Sequence, residues 1–370
     1  MRYDMKLDYD SFNEIAEGRK SLEFRLNDEK RQKIRVDDLI FFHRADNEYD
    51  VLKCKVKALY HADSFKKLFE ELCVDKNHED MRKYYSTDRE KEYGVLGIEI
   101  EKYDDLYLAD GHMHLEYGPL NKEYALRFIE EGINKGLDEI DILDHTHRFK
   151  EFEPCYEHLR KYSEQDEWLK QPTKFCNTLD DYYKLIEELR KMEFPIKVKF
   201  GLEVCYTSNT EELLRDIVKD IKLDFLTGAI HSVNSILYDM SFSKKLLWDV
   251  YPADDIYKWY YDEVLSLIKS GLFNRLAHPD QIKLLNIYPS YSLKETFREI
   301  ADGLNEKKMY GENNTGIHYR YGHNDIGISD ELLKIFKDKQ VRMVCASDAH
   351  KPEHVGSLIP EAAKRNKGVL

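Results

Sequence analysis

Hydrophobic spacing changes character once along the chain, and the change marks its organisation. Up to residue 104 the periodic runs are short and mixed. DYDSFNEIAEGRK spaces Phe12, Ile15 and Ala16 along one helical face and stops at Gly18. SLEFRL alternates apolar and polar residues, which puts Leu22, Phe24 and Leu26 on one side of a strand. RVDDLIFFH, YDVLKCKVKALYH and EYGVLGIEIEKY read as further strands, and SFKKLFEELC, with Phe65, Leu68, Phe69 and Leu72, as a helix. Three or four strands with two or three helices predict a small α+β unit over residues 1–104, a compact barrel.

From residue 105 to 370 the grammar becomes strand, then helix, repeatedly. The strand YLADGHMHLE precedes the helix EYALRFIEEGINKG. EIDILDH precedes LDDYYKLIEELRKM, and KVKFGLEVCY precedes EELLRDIVKDI. DFLTGAIHSV, NRLAHPD, MYGENNTG and VRMVCASDAH follow, with helices such as IYKWYYDEVLSLIKSG and ISDELLKIFKDKQ between them. About seven βα units predict a parallel sheet closed into an α/β barrel.

Composition narrows the function classes. The 370 residues carry a formal net charge of −14, which argues against broad, non-specific nucleic-acid binding. No apolar run is long enough to span a bilayer, and MRYDMKLDYD lacks the apolar core of a secretory leader. The six cysteines are scattered without a CxxC pair, as in a reduced, cytoplasmic protein. A metal site in this chain therefore has to be built from His, Asp and Glu.

The ends of the predicted barrel strands supply those residues. They read His112 and His114; Asp144 and His145; Glu203; His231; His278; Glu312 and Asn313; Asp348 and His350. Parallel barrel strands end at one mouth, so residues far apart in sequence converge there. Residues i and i+2 of a strand share a side, which lets His112 and His114 face one ion, with Asp348 and His350 repeating the spacing. Nitrogen and oxygen donors without thiolate suit zinc, manganese or iron. The set is too large for one tetrahedral ion, so two or three divalent ions are expected, with Glu203 as a bridge. Clustered divalent ions polarise a phosphoryl group and generate hydroxide near neutral pH, which makes phosphoester hydrolysis the expected chemistry.

On DGHMH, ILDHTHRF, GLEV, GAIHS, LAHPD, ENNTG and ASDAH, in that order, the chain resembles the polymerase and histidinol phosphatase (PHP) family, of the histidinol-phosphatase type. The resemblance implies a distorted (β/α)7 barrel with a trinuclear centre over residues 105–370. It implies one ion on His112, His114, Glu203 and Asp348, a second on His231, His278 and Glu203, and a third on His145 and His350. Many relatives add a histidine or acid eight residues after the first His. Leu120 stands there, and Glu116 is the nearby substitute. Asp348, His350, His147 and Arg148 are the candidate catalytic residues. Arg148, Asn313, Arg320 and His323 are the candidate substrate contacts, the last two in IHYRYGHND, read as a loop. Glu312 is a candidate orienting acid for a ligand histidine.

The first unit, on GxKxxExR (Gly18, Lys20, Glu23, Arg25) and the distal YGVLGIE, resembles an ASCH domain, a small PUA-like β-barrel. That group is linked to RNA or modified-nucleoside recognition. Lys20 and Arg25 lie in the most basic stretch of the chain, with Lys30, Arg31, Lys33 and Arg35, and are the candidate nucleic-acid contacts. The resemblances imply hydrolysis of a small phosphomonoester, with histidinol phosphate as substrate. The alternative is an RNA- or nucleotide-directed phosphoesterase whose substrate the ASCH-like unit delivers.

Overall fold

The computed structural model describes residues 2–103 and 105–368, so Asp104, the expected domain boundary, lies outside them. The chain divides into two compact units, Met1–Tyr107 and Leu108–Leu370.

The first unit runs β1 (Arg2–Leu7), α1 (Tyr9–Ala16), β2 (Leu22–Leu26), β3 (Leu39–Arg44), β4 (Asn47–Ala62), α2 (Phe65–Glu71), α3 (Thr87–Tyr93) and β5 (Val95–Tyr103). Its strands form one sheet in the order β1-β3-β4-β5-β2, antiparallel except for the β1–β3 pair. β1 is a strand that the sequence reading passes over, because charged residues separate its apolar ones. Tyr3, Met5 and Leu7 nevertheless point together into a core with Phe12, Ile15, Ile40 and Phe42. A second core joins Phe24 and Leu26 to the α2 face of Phe65, Leu68 and Phe69. The edge strands turn towards each other, since Arg25 Nη2 on β2 donates to the carbonyl of Lys6 on β1 (3.0 Å).

The second unit opens with β6 (Ala109–His114), α4 (Lys122–Asn134) and β7 (Glu139–Leu143). Two 3-10 turns, Thr146–Arg148 and Lys150–Lys161, and α5 (Ser163–Leu169) then carry the chain to α6 (Leu179–Arg190). Next come β8 (Lys197–Cys205), α7 (Glu211–Val218), β9 (Phe225–Ala229) and a small hairpin, β10 (Ser232–Val233) with β11 (Ile236–Leu237). α8 (Ala253–Ser270), β12 (Arg275–Leu276), α9 (Lys294–Lys307), β13 (Tyr310–Asn314), α10 (Gly316–Tyr321), α11 (Asp330–Asp338), β14 (Met343–Ala346) and α12 (Ile359–Lys367) complete it. IHYRYGHND was expected as a loop, but its first part is the short helix α10.

Seven strands pair in the order β6-β7-β8-β9-β12-β13-β14, all parallel, as the repeated βα pattern requires. The first and last strands meet through a short seam. His114 N donates to Ala349 O (2.7 Å), within a parallel bridge between Met113 and Ala349. Below it, the Asp110 carboxylate accepts from Ser347 N (2.8 Å), Ser347 Oγ (2.6 Å) and Gly356 N (2.8 Å). Burial pushes that carboxyl up to about 6, against the pull of these donors. The nearly closed sheet is a (β/α)7 barrel. Among the described residues no helix is long and apolar enough to cross a membrane.

Candidate metal centre and substrate cavity

The barrel strands deliver their terminal side chains to one mouth. Glu203, near the end of β8, lies at the centre and is almost wholly buried. Its carboxylate is 2.6 Å from His145 Nδ1, 2.9 Å from His278 Nε2 and 3.2 Å from His231 Nε2. The Nε2 atoms of His112 and His114 are each 3.6 Å away. Burial alone would raise Glu203, but His145, His231 and His112 outweigh it and hold the carboxyl well below its usual range.

Asp348 forms a second focus. Its Oδ1 is 3.2 Å from His114 Nε2, 3.6 Å from His350 Nδ1 and 3.8 Å from His112 Nε2. Arg320 Nη1 donates to Asp348 Oδ2 at 2.6 Å. Burial opposes ionisation here too, and Arg320, then His114 and His350, overcome it, so Asp348 stays ionised. Asp348 (φ 57) and His278 (φ 26) both occupy left-handed backbone, an unfavourable conformation that clusters where function over-determines geometry.

Glu116 forms the third. Its Oε1 is 3.2 Å from His350 Nε2, and its Oε2 is 2.9 Å from His147 Nε2. Three donor groups have ligand atoms within 4.8 Å of one another: His112, His114 and Asp348; His114, His145 and His350; and His145, Glu203 and His231. The donor chemistry fits divalent cations. Nitrogen and oxygen atoms converge at 2.6–3.8 Å without thiolate, and their rings are oriented from behind. His112 Nδ1 donates to Glu312 (2.9 Å), which leaves its Nε2 lone pair aimed at the centre. Glu312 also accepts from the backbone N of His278 (3.3 Å), and His231 Nδ1 is 3.6 Å from Asp239 Oδ2. Such outer contacts fix the tautomer and angle of a ligand histidine. Glu312→Gln is expected to weaken metal retention about 10–100-fold. Dialysis against graded chelator measures this, and retention equal to the parent would release Glu312 from that role.

A cavity of about 750 Å³ opens above the centre. Glu116, His145, His147, Glu203, Arg320 and Asp348 line it, with an aromatic and apolar wall that includes Tyr117, Tyr156, Trp168 and Tyr321. That size and mixture suit a small organic ligand.

Three expected substrate contacts are placed elsewhere. Arg148 Nε donates to Asn177 Oδ1 (3.0 Å), Nη1 to Leu115 O and Asp144 Oδ2 (both 2.8 Å), and Nη2 to Gly118 O (2.9 Å). With these donors engaged inside the protein, Arg148 ties the loops after β6 and β7 together. Asn313 follows Glu312 on β13, so alternation turns it away from the mouth. Its Nδ2 donates to Asn366 Oδ1 (2.7 Å) and its Oδ1 accepts from Ile328 N (3.1 Å). His323 is buried between Tyr288 OH (3.2 Å) and the backbone N of Asp325 (3.0 Å). In the first unit, Lys20 Nζ (2.7 Å) and Arg25 Nη1 (3.0 Å) both pair with the buried Glu23. Both side chains lie largely buried against Glu23 and do not form an open basic face.

Lys174, between α5 and α6, was missed. Its ammonium lies 2.8 Å from His147 Nε2, 3.9 Å from Glu116 Oε2 and 4.3 Å from the centre of the Trp168 ring. Burial lowers its pKa, against the pull of Glu116 and Asp144. Nothing in the periodicity around TKFC marks it.

Residues 5–104 match the model of the ASCH domain. Histidinol-phosphatase of Bacillus subtilis (strain 168) is 26% identical over 268 residues, covering 67% of this chain and 95% of that protein. Probable histidinol-phosphatase of Schizosaccharomyces pombe is 24% identical over 248 residues, covering 62% and 75%. Among solved structures, the histidinol phosphate phosphatase of Lactococcus lactis subsp. lactis Il1403, complexed with zinc, L-histidinol and phosphate, shares the fold. Its TM-score is 0.53 at 18% identity, over 71% of this chain and 94% of that one. Residues 110–316, more than half of the chain, match the model of the PHP domain, and the chain belongs to that family.

Proposed function

We propose that the chain is a metal-dependent phosphatase that hydrolyses L-histidinol phosphate to L-histidinol and phosphate. The observation that carries this reading is the set of imidazoles and carboxylates around Glu203, opening into a cavity flanked by Arg320. The likeness to the two histidinol-phosphatases supports it. His112, His114, Glu203 and Asp348 would hold one ion, and His231, His278 and Glu203 a second. His145, His350 and Glu116 would hold a third. Divalent ions bound there supply positive charge that polarises the phosphoryl group and acidifies water. Arg320, presented by α10 at the rim and held by Asp348, would donate to non-bridging oxygens of a phosphoryl group. Glu116 lies beside His147 and His350 on the opposite side.

The free cysteines support a reducing, cytoplasmic setting. The second reading, an RNA or nucleotide delivered by the ASCH domain, rests on the domain match, to which the Glu23-bound Lys20 and Arg25 add nothing.

The test is phosphate release from histidinol phosphate, a chromogenic aryl phosphate, nucleotides and 5′-phosphorylated RNA, before and after chelation. Histidinol phosphate is expected to exceed the chromogenic ester by about 100-fold in kcat/KM, roughly 3 kcal/mol in the transition state. Chelation is expected to abolish turnover and zinc or manganese to restore it. Equal rates on the two esters would sink the substrate assignment. Turnover that survives complete metal removal would sink the reaction class.

A further inference from the structure

A continuous chain of side chains crosses the floor of the cavity. It runs from Arg320 to Asp348 (2.6 Å), His350 (3.6 Å) and Glu116 (3.2 Å), then to His147 (2.9 Å) and Lys174 (2.8 Å). Acids and imidazoles occupy the middle, and a cation stands at each end. The two cations are far apart in sequence, and both line the cavity.

We propose that Lys174 is a second contact for the substrate's phosphoryl group, so that Arg320 and Lys174 hold the phosphomonoester from two sides of the metal centre. This rests on the phosphatase reading above.

Three observations support it. The ammonium is fixed in advance, because Trp168 presents its face at 4.3 Å and packs edge-on against His147, with ring centres 5.2 Å apart. An ammonium has three N–H donors. The bond to His147 engages one of them, and Glu116 at 3.9 Å is beyond hydrogen-bond range. Donors thus remain for a ligand in the cavity that Lys174 lines. Finally, the site's cations match a dianion. Arg320 offers a planar fork and Lys174 a compact point charge, and phosphoryl oxygens are strong acceptors for both. Lys174 is only 8% exposed at its side chain, so its contact with an anion would be well shielded from water.

The probe is inorganic phosphate, titrated by calorimetry into the metal-loaded full-length protein, with metal content measured in the same samples. Lys174→Met removes the charge at nearly constant length and is expected to weaken phosphate binding about tenfold or more. Lys174→Arg keeps the charge and is expected to bind phosphate more tightly than Lys174→Met. Equal affinities of the two variants overturn the assignment. So does a Lys174→Met protein that loses metal while its loaded fraction binds phosphate normally, since Lys174 would then act through Glu116. In the unaltered protein, phosphate is expected to slow reductive methylation of Lys174, read by peptide mass spectrometry, and equal labelling with and without phosphate overturns it as well. Phosphate binding can succeed whether or not histidinol phosphate is turned over, so failure here is separable from failure of the substrate assignment.

Discussion

Glu203→Gln is expected to lower kcat by about 10³-fold, roughly 4 kcal/mol of transition-state stabilisation. Among the described residues no other carboxylate lies near as many imidazoles: those of His145, His278, His231, His112 and His114 are all within 3.6 Å of it. Glutamine keeps the length and the packing and removes the negative charge. It also replaces one acceptor oxygen with an NH₂ group that can only donate, where an ion needs a lone pair. Two ion positions share this carboxylate in the proposed assignment, so both lose affinity together. Metal per chain, measured by mass spectrometry after desalting, should fall with the rate. A variant that retains full metal content and loses less than about tenfold in kcat would show that Glu203 is not the hub.

The largest stability effect is expected well below the mouth. Arg275 on β12 is almost fully buried, with Nη2 donating to Asp141 Oδ2 on β7 (2.8 Å) and Nη1 to Gly111 O on β6 (3.0 Å). Its guanidinium carbon stands 3.5 Å from the centre of the Phe225 ring on β9. One side chain thus connects four strands across the barrel interior. Asp141→Ala removes the carboxylate to which Arg275 Nη2 donates inside the barrel, at a cost of about 3–5 kcal/mol. For a unit of this size that is a fall of about 10 °C in Tm. Trp168, Trp248 and Trp259, the only tryptophans of the chain, all lie in the second unit, so tryptophan fluorescence reports its melting alone. A shift of less than about 2 °C would mean the pair contributes little to holding the barrel. Asp141 and Arg275 are absent from the cavity wall, so at low temperature kcat should stay near that of the parent.

The legible part of the site was the part that obeys strand periodicity. HxH and DxH at strand ends, in a chain of repeated βα units, place donors on one side of parallel strands, and parallel strands share a mouth. The same rule, applied one step further, sorts Glu312 inward and Asn313 outward. Arg148 looks like a site residue because it is polar and close in sequence to His145, and His323 because it lies in the donor-rich stretch IHYRYGHND. Their contacts, to Asn177, Leu115 and Gly118 or to Tyr288, come from loops whose return paths no local pattern encodes. Lys174 fails in the opposite sense. It lies on an irregular stretch beyond α5, and only the placing of Trp168 and His147 beside it gives it a role. In the first unit, β1 escaped notice because its charged positions hide a clean alternation of Tyr3, Met5 and Leu7.

The seam between β6 and β14 has a consequence for how a new chain comes to hold metal. His112 and His114 lie on the first strand of the barrel, and Asp348 and His350 follow the last. More than two hundred residues must be synthesised between the two pairs, which takes on the order of ten to fifty seconds at about 5–20 residues per second. A chain that folds as it is made would hold the first pair on the free edge of an unfinished sheet through that interval, without the acid or the arginine that face it in the finished barrel. The His114–Ala349 hydrogen bond and the Asp110 contacts to Ser347 and Gly356 form only when the last strand docks. The full ligand set therefore exists only after the barrel has closed, and an ion held by both pairs would tie the beginning of the unit to its end.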